Sequence, residues 1–105
     1  MTRNEWYKYL APVFDGSDFE IIKNSADGDK SLHIHKKGTT KPQQIEIWCM
    51  FNQTNIVLSK DLNEVIAPAF QLPPIYKEKG NKIFYNSVSD SLIIKICNKL
   101  VGKEI

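Results

Sequence analysis

His33-Ile34-His35 holds the only two histidines of this 105-residue chain and is its clearest chemical pattern. Alternate residues of a strand share a face, so the two imidazoles would project from one surface. Neutral imidazole binds transition metals and titrates near neutrality, which suggests a metal site or an acid/base couple. Neither has its remaining parts. A two-histidine phosphoesterase needs a second such motif, and a closed zinc site needs two further ligands. Cys49 in IWCMF and Cys97 in IKICNKL sit among apolar residues, where a thiol behaves as a small hydrophobe. The plainer reading turns Leu32 and Ile34 to the core and leaves the histidines on a polar face. An enzyme built on His33 and His35 is therefore the second alternative, and no metal or cofactor is predicted.

Other catalytic patterns are missing. There is no G-x-S-x-G elbow, and the glycines at 16, 28, 38, 80 and 102 stand apart, unlike those of a phosphate-binding loop. Asp15, Asp18, Glu20, Asp27 and Asp29 are scattered acids that read first as solvated turn and strand residues and second as a source of a carboxylate pair for acid/base or metal chemistry, and in a binding protein they would supply partner-steering charge.

Charge is unevenly distributed. Residues 1–29 carry six acids against three bases, a net charge of −3, whereas residues 30–105 carry eleven lysines against six acids, a net charge of +5. Arg3 is the only arginine, which argues against a polyanion-binding surface, since arginine makes the bidentate phosphate contacts. A small nucleic-acid-binding or phage-encoded regulatory protein is nonetheless the first alternative. It would use Lys36, Lys37, Lys41, Lys77, Lys79 and Lys82 on phosphates and Tyr76 or Tyr85 for base stacking.

These residues must be positioned by a domain with one core. The length suits a single globular domain over residues 1–105, and 42% hydrophobic with 25% charged residues is ordinary for a globular chain. The opening MTRNEWYKYLAPVFDGSDFE lacks a secretory pattern and no apolar run approaches the roughly 20 residues of a membrane span, so the expectation is a cytoplasmic protein with two free thiols.

Helical spacing of Trp6, Tyr9, Leu10 and Val13 predicts a helix over about Asn4–Val13, with Asn4 as N-cap and Pro12 limiting it. Phe19–Lys23 and Ser31–Lys36 read as a hairpin around Asp27-Gly28. Gln43–Phe51 is the densest apolar stretch, with Ile45, Ile47, Cys49 and Phe51 on one face and Trp48 and Met50 on the other. Ile56–Leu58 returns as a short strand. A helix from Ser59 or Asp61 to about Phe70 would carry Leu62, Val65, Ile66 and Ala69 on one side and kink at Pro68. Lys82–Asn86 reads as a strand following a Gly80-Asn81 turn. The last helix begins near Ser87, which pairs with Asp90 as a cap, and ends at Gly102. The fold class is α+β: a four- to five-stranded, mainly antiparallel sheet with a long C-terminal helix and one or two short helices.

By elimination the predicted function is that of a small cytoplasmic binding protein, in its concrete form an immunity-type inhibitor that occludes a cognate bacterial toxin, such as a nuclease. The predicted partner-binding residues are Asp15, Asp18, Glu20, Asp27, Asp29, Trp6, Tyr7 and Trp48. Tryptophan and tyrosine are strong interface anchors, and Trp6, Tyr7 and Tyr9 cannot all face inward from one short helix. Trp48 and Met50 pose a fork: a second layer of helix, through Trp6 and Leu10, would make them core, and a single layer would leave them for a partner.

Overall fold

The computed structural model describes residues 1–24, 30–38 and 44–102, the side chain of Asn24 excepted. Three helices and six strands follow in the order α1 (Arg3–Phe14), β1 (Phe19–Asn24), β2 (Ser31–Lys36), β3 (Gln44–Cys49), β4 (Thr54–Ser59), α2 (Lys60–Ile66), β5 (Lys77–Lys79), β6 (Lys82–Tyr85) and α3 (Asp90–Leu100). The strands form one antiparallel sheet, β1-β2-β3-β4-β6-β5. This is the α+β class predicted, with one strand more. β5 escapes sequence reading because it is three exposed residues, Lys77-Glu78-Lys79, without an apolar alternation.

One core holds the domain together, formed by Trp6, Leu10 and Phe14 of α1, Leu62 and Ile66 of α2, and Ile93, Ile96 and Cys97 of α3, set against Leu32, Ile34, Ile45, Ile47, Ile56 and Leu58 of the sheet. All three helices therefore cover the same face. The fork resolves to a single layer: Trp6 and Leu10 pack on the Ile45-Ile47 face, and Trp48 lies on the other.

The helix ends follow local chemistry. Thr2, and not Asn4, caps α1: its hydroxyl accepts from the Glu5 N–H at 3.2 Å while Glu5 accepts from the Thr2 N–H at 2.9 Å, a closed capping box. These bonds hold the Glu5 carboxyl below its usual value. α1 runs two residues past Pro12 and ends where the Asp15 N–H donates to the Ala11 carbonyl. α3 begins at Asp90 under a Ser89 cap, not at Ser87. Ser87 instead lies in the left-handed region at φ 54°, held by its N–H to Asn55 Oδ1 (2.9 Å) and its hydroxyl to Gln53 Oε1 (2.7 Å). α2 stops at Ile66 and continues as a single 3-10 turn through Pro68, and Val65 faces solvent instead of joining Leu62 and Ile66 in the core.

Cys49 and Cys97 are free thiols. Burial raises the Cys49 thiol and pushes Cys97 up to about 12. Since the thiolate is the reactive form, a disulfide-exchange reagent at pH 8 is expected to leave Cys97 unmodified in the folded chain and to label it promptly in denaturant. Rapid native labelling of Cys97 would contradict its place in the core.

Candidate functional site

The uncovered face of the sheet is organised as three rows of side chains across the strands. The middle row runs Ile22, His33, Glu46, Val57, Phe84 and Lys77. On one side lie Glu20, His35, Gln44, Ser59, Lys82 and Lys79, and on the other Ser31, Trp48 and Asn55.

Glu46 sits at the centre of this face, yet only 4% of it is exposed. A buried carboxylate is costly unless its oxygens are engaged, and both are. Lys82 Nζ approaches Oε2 at 2.7 Å, Gln44 Nε2 donates to Oε2 at 3.0 Å, and Trp48 Nε1 donates to Oε1 at 3.0 Å. The Glu46 carboxylate thus holds the indole of Trp48 by its N–H. Sequence reading missed Glu46. Its signal was the alternation Gln44, Glu46, Trp48 against Ile45, Ile47, Cys49, which sets an acid beside the tryptophan on one face.

Beside that network runs a groove of about 310 Å³ lined chiefly by Trp48, Met50, Val57, Tyr76, Lys77 and Phe84. Three aromatic rings meet in it. Tyr76 is 63% exposed, and the Lys77 ammonium lies 4.7 Å from the Phe84 ring centroid. Beyond the end of β3, the turn closed by the Met50 N–H on the Gln53 carbonyl carries Phe51 out at 99% exposure. Phe51 therefore does not continue the Ile45, Ile47 and Cys49 face as the alternation predicted, because the strand ends before it.

The histidines share this face, as their spacing implied, but do not form one site. His33 Nε2 lies 4.0 Å from Glu46 Oε1, and His35 Nε2 lies 3.1 Å from Glu20 Oε1 without hydrogen-bond alignment. A Ser31-His33-Glu46 relay also fails on geometry. Ser31 Oγ (3.3 Å) and Glu46 both face the same ring nitrogen, Nε2, while Nδ1 faces Gln44 Nε2 at 3.3 Å. Activating a hydroxyl requires the serine and the acid on opposite nitrogens. Among the described residues no group of three or more His, Cys, Asp or Glu could hold a metal ion.

The predicted partner-binding residues separate. Trp48 lies on the open face. Trp6 has no exposed surface, so the structure corrects its assignment as a partner anchor: it shares the inward i, i+4 stripe of α1 with Leu10 and Phe14. Tyr7 is half-buried beside β1, with Lys23 Nζ 4.8 Å from its ring centroid. Glu20 is on the open face, and Asp15 and Asp18 stand just before β1. Asp27 and Asp29 lie outside the described residues.

The lysines divide too. Lys36 ends β2 and Lys37 follows it, whereas Lys77, Lys79 and Lys82 belong to β5 and β6, and Lys41 lies outside the described residues. Lys82 is engaged by Glu46, and Tyr85 is buried with its hydroxyl on Asn63, which removes it as a stacking platform. Among the described residues no helix is long and apolar enough to cross a membrane.

Fold and site together define a helix-backed antiparallel sheet with an open aromatic face. Comparison with known proteins gives no matching family, no matching curated protein and no matching solved structure.

Proposed function

We propose that this protein is a binding module that occupies a functional surface of another protein with the open face of its sheet. The observation that carries the reading is the one-sided placement of the helices, which leaves Trp48, Tyr76 and Phe84 around a groove on the uncovered side. Large rigid aromatic rings over a well-braced base are the usual anchors of protein interfaces. The face is also electrically polar, with Glu20 on the β1 side and Lys77, Lys79 and Lys82 on the β5–β6 side, which would orient an incoming partner. In its specific form the module is an immunity-type inhibitor of a cognate bacterial toxin, acting by occlusion in the cytoplasm. What supports that form is the small α+β domain and the lack of an assembled catalytic relay among the described residues.

The test is co-purification from the native host with the full chain as bait, followed by titration against the partner obtained. A Met50→Asp, Tyr76→Ala variant should keep its circular dichroism and lose affinity by about 100-fold or more, the scale of two interface anchors. Undiminished affinity would remove the groove from the interface. A co-purifying toxin domain would establish the specific form, whereas binding of mixed-sequence oligonucleotides with a steep salt slope would favour the nucleic-acid reading.

A further inference from the structure

The two edges of the sheet differ in how they are guarded. At one, β5 is three residues long and carries Lys77 and Lys79, the short charged edge that discourages strand pairing. At the other, β1 is six residues long and holds Ile22 at 45% exposure in its middle.

The ladder shows which backbone groups of β1 face outward. The Lys37 N–H donates to the Asp18 carbonyl at 2.8 Å, which makes Asp18 and Lys37 a hydrogen-bonded pair of the β1–β2 register. Antiparallel pairs alternate, so Glu20, Ile22 and Asn24 direct their N–H and C=O groups to β2, and Phe19, Ile21 and Lys23 direct theirs to the free edge. Phe19 is already engaged: its N–H donates to Ser17 Oγ at 3.1 Å, and that hydroxyl lies 3.2 Å from its carbonyl oxygen. Among the described residues, Ile21 and Lys23 are left with outward groups that meet no partner. The Lys23 side chain is turned back onto α1, with Nζ donating to Asn4 Oδ1 at 3.0 Å, so its charge does not stand guard over the strand.

We propose that β1 pairs antiparallel with β1 of a second copy of this chain, about a twofold axis passing through Ile22. A continuous sheet requires residues of the same face to oppose one another, which leaves two central registers. Placing Ile21 on the axis would need the Phe19 groups that Ser17 occupies. Placing Ile22 on the axis pairs the N–H and C=O of Ile21 in one copy with those of Lys23 in the other, and it covers each exposed Ile22 with its twin. The open faces then lie on the same side of one extended sheet, with both aromatic grooves on a common surface. This pairing uses an edge, not the groove, and stands independently of the partner-binding reading.

Sedimentation equilibrium of the full chain, from about 1 μM to about 1 mM, tests it. A concentration-dependent dimer is expected. Ile22→Lys, which sets two like charges together on the axis, should raise its Kd at least about tenfold. Ile22→Thr, which keeps β-propensity but loses the apolar contact, should raise it less, and Tyr76→Ala in the groove should leave it unchanged. A monomer at the top of the range overturns the proposal and leaves the edge for an unrelated strand. A dimer indifferent to Ile22→Lys, or one abolished by Tyr76→Ala, overturns it as well.

Discussion

Trp6→Ala is expected to lower the stability of the fold by roughly 3–5 kcal/mol, the usual cost of emptying a fully buried tryptophan site. Trp6 is completely enclosed among α1, the sheet and the rest of the core, so the surrounding side chains can close only part of the void. A domain of this size has about 5–15 kcal/mol in total, and the variant would therefore lose a large share of it. The indole N–H has no hydrogen-bond partner among the described residues, so the loss is one of packing and not of polar pairing. Trp6→Phe is the informative companion. It keeps most of the apolar surface and removes the unpaired donor, and its cost should stay near 1 kcal/mol. Urea unfolding of the three proteins measures both effects. A cost under about 1 kcal/mol for Trp6→Ala would mean that α1 is not seated as described.

Glu46→Ala is expected to cost about 2–4 kcal/mol, because it removes the shared acceptor of a buried polar cluster. Without the carboxylate, Trp48 Nε1 and Gln44 Nε2 lose their partner. Lys82→Ala should be milder, near 1 kcal/mol, since that side chain is half-exposed and its ion pair is partly screened by water. The order of the two costs is the discriminating result. Equal effects would show that the ion pair, and not the hydrogen bonds to Trp48 and Gln44, is what Glu46 supplies. Partner affinity should fall in Glu46→Ala beyond the stability effect, because the indole would no longer be fixed in its orientation. Glu46 is in this sense a positioning residue for Trp48.

Much of the architecture was legible because it depends on local periodicity. Alternation gave the inward faces of β2 and β3, and Leu32, Ile34, Ile45 and Ile47 are all core. Extrapolated past a turn, the same alternation failed at Phe51. Cap assignment failed for a different reason: Ser87 and Ser89 offer the same hydroxyl, and backbone conformation alone decides which one caps α3. The place of Trp6 in the core is legible too, since its i, i+4 relation to Leu10 and Phe14 marks the inward stripe of α1. The ion pair between Glu46 and Lys82 is set by strand order, which brings β6 beside β4, and nothing local in either segment announces it. Even so, placing Trp48 outside the inward face was possible from the strand pattern alone.

The strand order has one more consequence, for the speed of assembly. Every neighbouring pair in β1-β2-β3-β4 joins strands consecutive in the chain, as does β5-β6, and only β6 against β4 must span intervening elements, α2 and β5. Short closures sacrifice little chain entropy before contacts compensate for it. Such a sheet can grow hairpin by hairpin, and the long-range closure that remains is the return of the C-terminal third, carrying β6 and α3, onto a sheet whose first strands are already paired.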